Sequence, residues 1–135
     1  NLMQINLLKT NPEAETEGVW VTYEDTDIQL KIARIGNPKF DAFVAKKSAP
    51  HLDKIRKGEA NELQENITQQ AVAHTILVDW KNIDDENGKP IPYSGKKSEE
   101  FLSDPSLRDF YKFVLVTSNQ AENFRYEAQQ EAVGN

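Results

Sequence analysis

The sequence predicts an α+β fold in which an amino-terminal β-hairpin packs on a mainly α-helical domain. The hairpin is predicted because residues 19–23 and 28–32 alternate apolar and polar side chains on either side of an Asp-rich turn. The helices are predicted because later segments combine capping residues with prolines, or space their apolar residues by three and four. The 135 residues suffice for one domain with a core, and the 28% of charged residues favours exposed helices around it.

The amino-terminal region has two predicted parts. Residues 1–17 are polar and acidic after a short apolar start, so we expect a polar amino-terminal arm there, followed by a single domain over residues 18–133. In the hairpin, the face that carries Val21 and Leu30 should meet the core, and helices must cover it because an isolated hairpin is only marginally stable. Trp20 lies on the opposite, more polar face, which makes it the candidate partner contact.

A helix is predicted to begin at Pro38. Asn37 is a favourable N-cap, and a proline at the first helical position loses no hydrogen bond. Phe40 lies on the apolar face of this helix. Pro50 should interrupt the helix, and Gly58 should end the piece that follows.

A longer helix is predicted over residues 62–81, because the apolar residues there recur at steps of three and four. This stripe comprises Leu63, Ile67, Ala71, His74 and Val78. Trp80 widens the apolar face at the carboxyl end, which should therefore be the more deeply buried end. His74 lies on the stripe and is expected to be a core or interface histidine with satisfied ring nitrogens.

The segment after this helix contains a tight turn and two helix starts. Gly88 follows an asparagine, and both residue types tolerate the positive φ that a tight turn requires. Pro90 then holds an extended segment, Ser94 caps a short helix, and Asp104 with Pro105 starts the last helix. The inward face of that last helix is expected to comprise Leu107, Phe110, Tyr111, Val114 and Leu115, extended by Ala121, Phe124 and Ala128.

No arrangement of residues predicts a catalytic, metal or cofactor site. The chain has no cysteine, which excludes thiolate zinc sites and cysteine nucleophiles. The acidic turn at residues 84–88 does not match a calcium loop, because Gly88 at the sixth position would place Ile83 and Ser94 at the two ligand positions that need carboxylates or similar donors. Residues 95–98, Gly-Lys-Lys-Ser, lack the upstream glycine and the spacing of a phosphate-binding loop.

Charge and hydropathy limit the classes of partner. The formal net charge of −6 repels phosphate backbones, so no nucleic-acid partner is expected. No apolar run approaches the length of about 18 residues that reads as a transmembrane helix, so no membrane partner is expected either. The absence of cysteine fits a reducing cytoplasm.

Three segments resemble tail assembly chaperones of long-tailed (siphovirus-type) bacteriophages, and together they span roughly residues 27–133. The family's Gly-Asn-Pro-x-Phe start is similar to GNPKFDAFVAKK, its Trp, acidic-turn, Gly-x-Pro and Tyr/Phe-Ser segment to ILVDWKNIDDENGKPIPYS, and its carboxyl-terminal helix to DPSLRDFYKFVLVTSNQAENFRYEAQQEA. The residues that carry this resemblance, with roles in fold or interface, are Phe40, Trp80, Gly88, Pro90, Tyr93, Asp104, Pro105, Phe110, Phe113 and Phe124.

The resemblance implies a protein that binds the tape measure protein, keeps it soluble and helps recruit major tail subunits around it. It also implies self-association into rings or spirals, and a relationship in some members to a longer, frameshifted form. Such a protein would work in the host cytoplasm and be absent from the mature virion. It would need no cofactor and catalyse no reaction.

Two other classes of function stay open on the sequence. The first is a small monomeric adaptor or regulatory module that binds one peptide and does not assemble. The second is an enzyme whose site is built from ordinary polar residues, although no pairing of such residues favours acid–base catalysis. The aromatic residues Trp20, Trp80, Tyr93, Phe110 and Phe113 are either core or contact residues on this evidence, and Trp20 is the one expected at a contact.

Overall fold

The computed structural model of the protein describes residues 2–126. These residues form a three-stranded antiparallel sheet and a set of helices, which confirms the predicted α+β class. The α-helices are α1 (Leu2–Leu8), α2 (Pro12–Glu17), α3 (Pro38–Ser48), α4 (Leu52–Arg56), α5 (Asn61–Ala71), α6 (Gly95–Ser103) and α7 (Arg108–Ser118). The strands are β1 (Val19–Thr22), β2 (Gln29–Ile32) and β3 (Leu77–Lys81).

The amino-terminal hairpin forms as predicted. β1 pairs with β2 so that Val21 lies opposite Leu30, and the Tyr23 N–H donates to the Ile28 carbonyl O at 2.9 Å to close the turn. Side chains alternate between the two faces of a strand. Leu30 and Ile32 therefore both point to the inner face, where they are fully buried against the helices.

The predicted helix over residues 62–81 is wrong in its second half. α5 ends at Ala71, a wider π-helical turn spans Val72–Ile76, and the chain then enters β3, which pairs with β2. Leu77 and Trp80 are buried, as expected of this end of the segment, but they are buried in a strand. A fully buried apolar run does not reveal its period, and pairing with the distant β2 decides the element here.

The predicted arm is also wrong for residues 11–17. The Asn11 side chain accepts from the Glu13 N–H and caps α2, and Ala14 on this helix is only 3% exposed. The Glu15 carboxylate pairs with the Arg34 guanidinium at 2.9 Å, which ties α2 to the chain after β2. Only α1 matches the expectation of an exposed segment, since Leu8 on it is 81% exposed.

The predicted caps lie where the sequence placed them. The Asn37 Oδ1 accepts from the Lys39 and Phe40 N–H groups at the start of α3, and the Ser94 Oγ accepts from the Lys97 N–H at the start of α6. α3 gives way to a 3₁₀ turn over residues 49–51 at the expected proline, and Gly58 adopts a φ of 71° after α4. These local signals are strong because each satisfies backbone N–H groups that a helix start leaves free, or supplies a backbone angle that glycine tolerates.

The carboxyl-terminal helix differs from the prediction at both ends. Asp104 caps a 3₁₀ turn over Pro105–Leu107, and α7 follows it and ends at Ser118. A second 3₁₀ turn over Ala121–Phe124 buries Phe124 completely, as predicted, although by a turn rather than by a continued helix. The prediction for Ala128 lies outside the described residues.

Candidate partner-binding surface

The outer face of the sheet carries Trp20 between two lysines. Trp20 lies directly across from Lys31 in the β1–β2 register, and Lys81 on β3 points to the same face. The Lys81 Nζ lies 4.2 Å from the centroid of the Trp20 ring, and the Lys31 Nζ lies 6.0 Å from it. Both distances are within reach of a cation–π contact.

Trp20 is half-buried in this position. Its place on the polar face agrees with the sequence prediction, and its role as a partner contact stays a prediction. Two ammonium groups and one carboxylate, that of Asp79 across from Lys31, lie on this face, which is therefore locally positive on a chain whose net charge is −6.

The second tryptophan, Trp80, lies on the opposite face of the sheet and in the core. Its Nε1–H donates to the Ile91 carbonyl O at 2.7 Å, and the side chain is 5% exposed. The ring stacks on Phe101 and meets the edge of Tyr93, with a centroid separation of 4.9 Å in each pair. Trp80 is therefore a core residue whose one polar atom is satisfied.

The aromatic contacts continue from Trp80 across the core to the hairpin. Phe101 meets Phe110 at 6.4 Å between centroids, Phe110 meets Tyr23 at 5.5 Å, and Tyr23 meets Phe113 at 4.9 Å. These pairs are edge-to-face, the arrangement that the ring quadrupoles favour. Phe110 and Phe113 thus hold α7 against the hairpin, which is a structural role.

Tyr93 satisfies the backbone where helix changes to strand. Its hydroxyl donates to the Leu77 carbonyl O at 2.7 Å and lies 3.3 Å from the Ala73 carbonyl O, which also accepts from the Ser98 Oγ at 2.7 Å. The π turn interrupts the regular helical ladder, so such carbonyls need side-chain donors. Burial raises the pKa of Tyr93 above its ordinary value, which keeps the donor protonated.

The acidic turn and its glycine form a closed loop. Gly88 has a φ of 79°, and its N–H donates to the Asp85 carbonyl O at 3.0 Å. The Asp85 carboxylate accepts from two further backbone N–H groups of the turn. Pro90 pairs with Asp84 in a short antiparallel bridge, so the residues of this motif shape the loop.

The remaining motif residues are structural as well. Asp104 accepts hydrogen bonds from the side chain and the backbone of Ser106, and these bonds lower the pKa of its carboxyl group. Pro105 follows this cap as the first residue of the 3₁₀ turn. Phe40 lies half-buried at the edge of the core, and Phe124 is fully buried.

His74 is at the surface, so it is not the core histidine that was one of the two expectations, and its role as an interface histidine stays a prediction. Its Nε2 lies 2.8 Å from the Glu99 carboxylate, and its ring stacks on Phe43 at 5.6 Å between centroids. The ring lies so close to Gly95 that a Cβ there would be 2.7 Å from the His74 Nδ1. Because the helix predicted through position 74 becomes a π turn, its side chain rotates off the apolar stripe.

The large grooves on the described surface are open and polar. One has a volume of about 720 Å³ and lies between α5 and α7. Its walls comprise Asn61, Gln64, Glu65, Asn66, Thr68, Gln69 and Tyr111. Burial raises the pKa of the Tyr111 hydroxyl above its ordinary value.

Residues 2–126 contain neither a metal-binding cluster nor a membrane-spanning helix. In this part of the chain, no three His, Asp or Glu side chains are grouped so that they could hold a metal ion. None of the helices described there is both long enough and apolar enough to cross a bilayer.

A family model for the YdaY prophage protein matches residues 35–135. The chain belongs to the YdaY prophage protein family. No curated protein and no solved structure gives a significant match. Membership indicates a phage-derived protein with a phage-related function, which is the coarser part of what the sequence resemblance implied.

The family match in this prophage protein begins after the hairpin. Both β1 and β2 precede residue 35, whereas β3 lies inside the matched part. The sheet is therefore shared between a segment outside the match and a strand within it. Of the surface around Trp20, only Lys81 belongs to the matched part.

The sequence of this prophage protein predicted Trp20 as a partner contact, but neither of the two lysines beside it was predicted to share that surface. Lys31 was available to sequence reasoning, because the hairpin register places it opposite Trp20. Lys81 was not, because it reaches Trp20 only through β3, which was predicted as helix.

Proposed function

We propose that this prophage protein is a tail assembly chaperone that binds the tape measure protein, keeps it soluble and helps recruit major tail subunits. The proposal is supported by the three segments that resemble this class of chaperone and by membership of a prophage family. The observation that carries it is the placement of Trp20, an indole held on the outer face of the sheet while Trp80 is held in the core.

The chemistry of the Trp20 surface fits reversible binding of a polypeptide. A flat aromatic ring supplies a large contact area at little cost in conformational entropy, and aromatic residues recur at the energetic centres of protein interfaces. Lys31 and Lys81 add positive charge on either side of the ring. A single contact of this size is weak, so repeated copies along a long client would supply avidity and still allow release.

The rest of the proposal follows the sequence resemblance. The protein would self-associate into rings or spirals, in some cases with a longer, frameshifted form of itself. It would act in the host cytoplasm without a cofactor, and it would be absent from the mature virion. Head-to-tail contacts between copies would propagate such an assembly, because that type of interface need not close.

The test is co-expression with a tape measure protein of a long-tailed phage. We expect the soluble fraction of the tape measure protein to rise with the wild-type chain and to rise less with Trp20→Ala. Thr22→Ala is the matched control, because Thr22 is an exposed neighbour on the same face of β1. If the tape measure protein is equally insoluble with and without this chain, the proposed function is wrong.

Light scattering over a concentration series separates the chaperone from a monomeric adaptor. Growth of the average mass with concentration is expected for an assembling chaperone. A strictly monomeric protein that also leaves the tape measure protein insoluble would instead be a small peptide-binding module.

A further inference from the structure

The two edges of the sheet differ in how their backbone groups are satisfied. At the β3 edge, the Trp80 N–H donates to the Asp79 Oδ1 at 2.8 Å, and the Leu77 carbonyl O accepts from the Tyr93 hydroxyl at 2.7 Å. The chain thus provides its own partners at this edge. An edge whose groups are satisfied in this way is protected against pairing with another strand.

The β1 edge has no such protection within residues 2–126. In antiparallel pairs the hydrogen-bonded and non-hydrogen-bonded positions alternate. Because the Tyr23 N–H donates to Ile28, Val21 also directs its backbone groups to β2, whereas Trp20 and Thr22 direct theirs away from the sheet. The strand reads Val-Trp-Val-Thr, with no proline, charge or bulge to discourage pairing.

The inner side of the β1 edge is an incompletely covered apolar flank. Val19 and Val21 are only half-buried, whereas Leu30 and Ile32 on the central strand are fully buried. On α7, Phe113 contacts Tyr23, and Val116 lies one turn further along the same side of the helix and is 49% exposed. An additional strand beside β1 would cover the valines and this side of α7.

The outer side of the same edge is positive. Trp20 lies across from Lys31, and Lys81 lies over the indole. One carboxylate shares this face, that of Asp79 across from Lys31 on β3, and its Oδ1 accepts from the Trp80 N–H, so the two lysines leave the face with a net positive charge. A strand that joined β1 would direct alternate residues to this face. Carboxylates there would complement the two ammonium groups, and apolar residues on the other face would complement the flank.

We infer that the β1 edge takes up an extended, alternating acidic and apolar segment of the client polypeptide as a fourth strand of the sheet. The inference rests on the proposed function in that the segment belongs to the client. Main-chain hydrogen bonds to Trp20 and Thr22 would supply affinity, and the two faces would supply specificity. A second copy of this chain is the poorer occupant, because its β1 offers no carboxylate to the two ammonium groups.

The experiment uses the full chain and short synthetic peptides of defined sequence. The probe peptide alternates valine with glutamate. One control peptide replaces each glutamate by lysine. The other, the blocked-order peptide, has the same composition as the probe, with all valines grouped together and all glutamates grouped together. Amide hydrogen exchange is measured by NMR with and without each peptide. The alternating acidic peptide is expected to slow exchange at Trp20 and Thr22 but to leave Val21, already bonded to β2, unchanged.

Two variants of one residue test the edge directly. Thr22→Pro removes an outward N–H from an edge strand, where proline is tolerated. Thr22→Ala keeps that N–H and, like the proline variant, loses the hydrogen bond from the Gln29 side chain. We expect peptide binding to Thr22→Pro to be about tenfold weaker than to Thr22→Ala. If circular dichroism shows that Thr22→Pro is unfolded, an N-methylated peptide tested on the wild-type chain replaces it.

The possible outcomes separate this inference from the proposed function. Unchanged exchange at Trp20 and Thr22, equal binding of the blocked-order peptide, or equal binding by the two Thr22 variants would overturn it. Slowed exchange at higher protein concentration without peptide would also overturn it, because a second copy would then occupy the edge. If folded Thr22→Pro solubilises the tape measure protein as well as wild type, the chaperone role stands and the edge inference fails. If the peptide binds at the β1 edge but the tape measure protein is not solubilised, the edge binds an extended segment and the chaperone role fails.

Discussion

Replacement of Trp80 by alanine tests whether this side chain anchors the core. Trp80 is 5% exposed, donates to the Ile91 carbonyl O at 2.7 Å, and has the rings of Tyr93 and Phe101 at centroid distances of 4.9 Å. A buried Trp→Ala change lowers the free energy of unfolding by about 3–5 kcal/mol. A domain of this size has about 5–15 kcal/mol in total, so the variant should lose a large part of its stability.

The assay is urea unfolding followed by far-UV circular dichroism. With a denaturant slope of about 2 kcal/mol per molar, the loss corresponds to a midpoint lower by about 1.5–2.5 M. Trp80→Phe extends the test if the alanine variant is already unfolded. It keeps an aromatic ring but removes the N–H donor to Ile91, for which we expect a loss of about 1–3 kcal/mol.

Trp20→Ala is the matched control, because it removes the same side chain from the outer face of the same sheet. The loss should be about 1 kcal/mol or less, since Trp20 is half-buried and its contacts with Lys31 and Lys81 are cation–π contacts at the surface. Equal midpoints for Trp80→Ala and wild type would refute the core assignment. A loss for Trp20→Ala as large as that for Trp80→Ala would refute the contrast between the two faces.

Three further predictions concern hydrogen bonding, pH and the hairpin. Tyr93→Phe leaves the Leu77 carbonyl O without its donor and should lower the free energy of unfolding by about 1–3 kcal/mol in urea titrations. Tyr111→Phe is the control, and an equal loss there would argue against the hydrogen bond to Leu77 as the cause. Burial raises the pKa of both tyrosines in the folded state, so the unfolded chain ionises first and stability should fall as the pH rises above about 10. A thermal-melt series should show this fall weakened in the two phenylalanine variants, and an unaltered slope would contradict it. Leu30→Ala should cost about 2–5 kcal/mol because Leu30 is fully buried, and Leu52→Ala, at a side chain that is 45% exposed, should cost far less; similar midpoints for the two would count against a hairpin built into the core.

Part of the fold was predictable from the sequence because its signals are local. The hairpin, the caps at Asn37 and Ser94, and the turn at Gly88 each depend on residues close together in sequence. Their signals are local because each concerns a backbone group or a φ angle that nearby residues determine. These elements agree between sequence and structure for that reason.

β3 was not predictable in the same way. Residues 72–81 carry apolar side chains at a spacing that also fits a helix, and they are buried on several sides. The π turn at Val72–Ile76 and the pairing of Leu30 with Trp80 decide that the chain leaves the helix. Both depend on contacts with segments far away in sequence, including the donation from Tyr93 to the Leu77 carbonyl O and from Ser98 to the Ala73 carbonyl O.

The candidate surface around Trp20 also has one part that the sequence predicts and one part that only the tertiary structure places. Trp20 and Lys31 could be placed together from the alternation of the hairpin alone, since a two-residue period fixes which side chains share a face. Lys81 joins them only because β3 lies on the other side of β2. The expected arm differs from the structure over residues 11–17 for a related reason, because the pairing of Glu15 with Arg34 is a tertiary contact.

The amino-acid order alone determined where strands turn, where helices begin, and which large side chains leave water, because short-range sterics, capping and hydrophobicity act within a few residues. Tertiary structure alone decided that a buried segment becomes the third strand, that one sheet edge is closed while the other is open, and that Lys81 joins Lys31 beside the Trp20 indole. These features depend on free energies of pairing and packing between segments that are remote in the chain, and no local pattern encodes them.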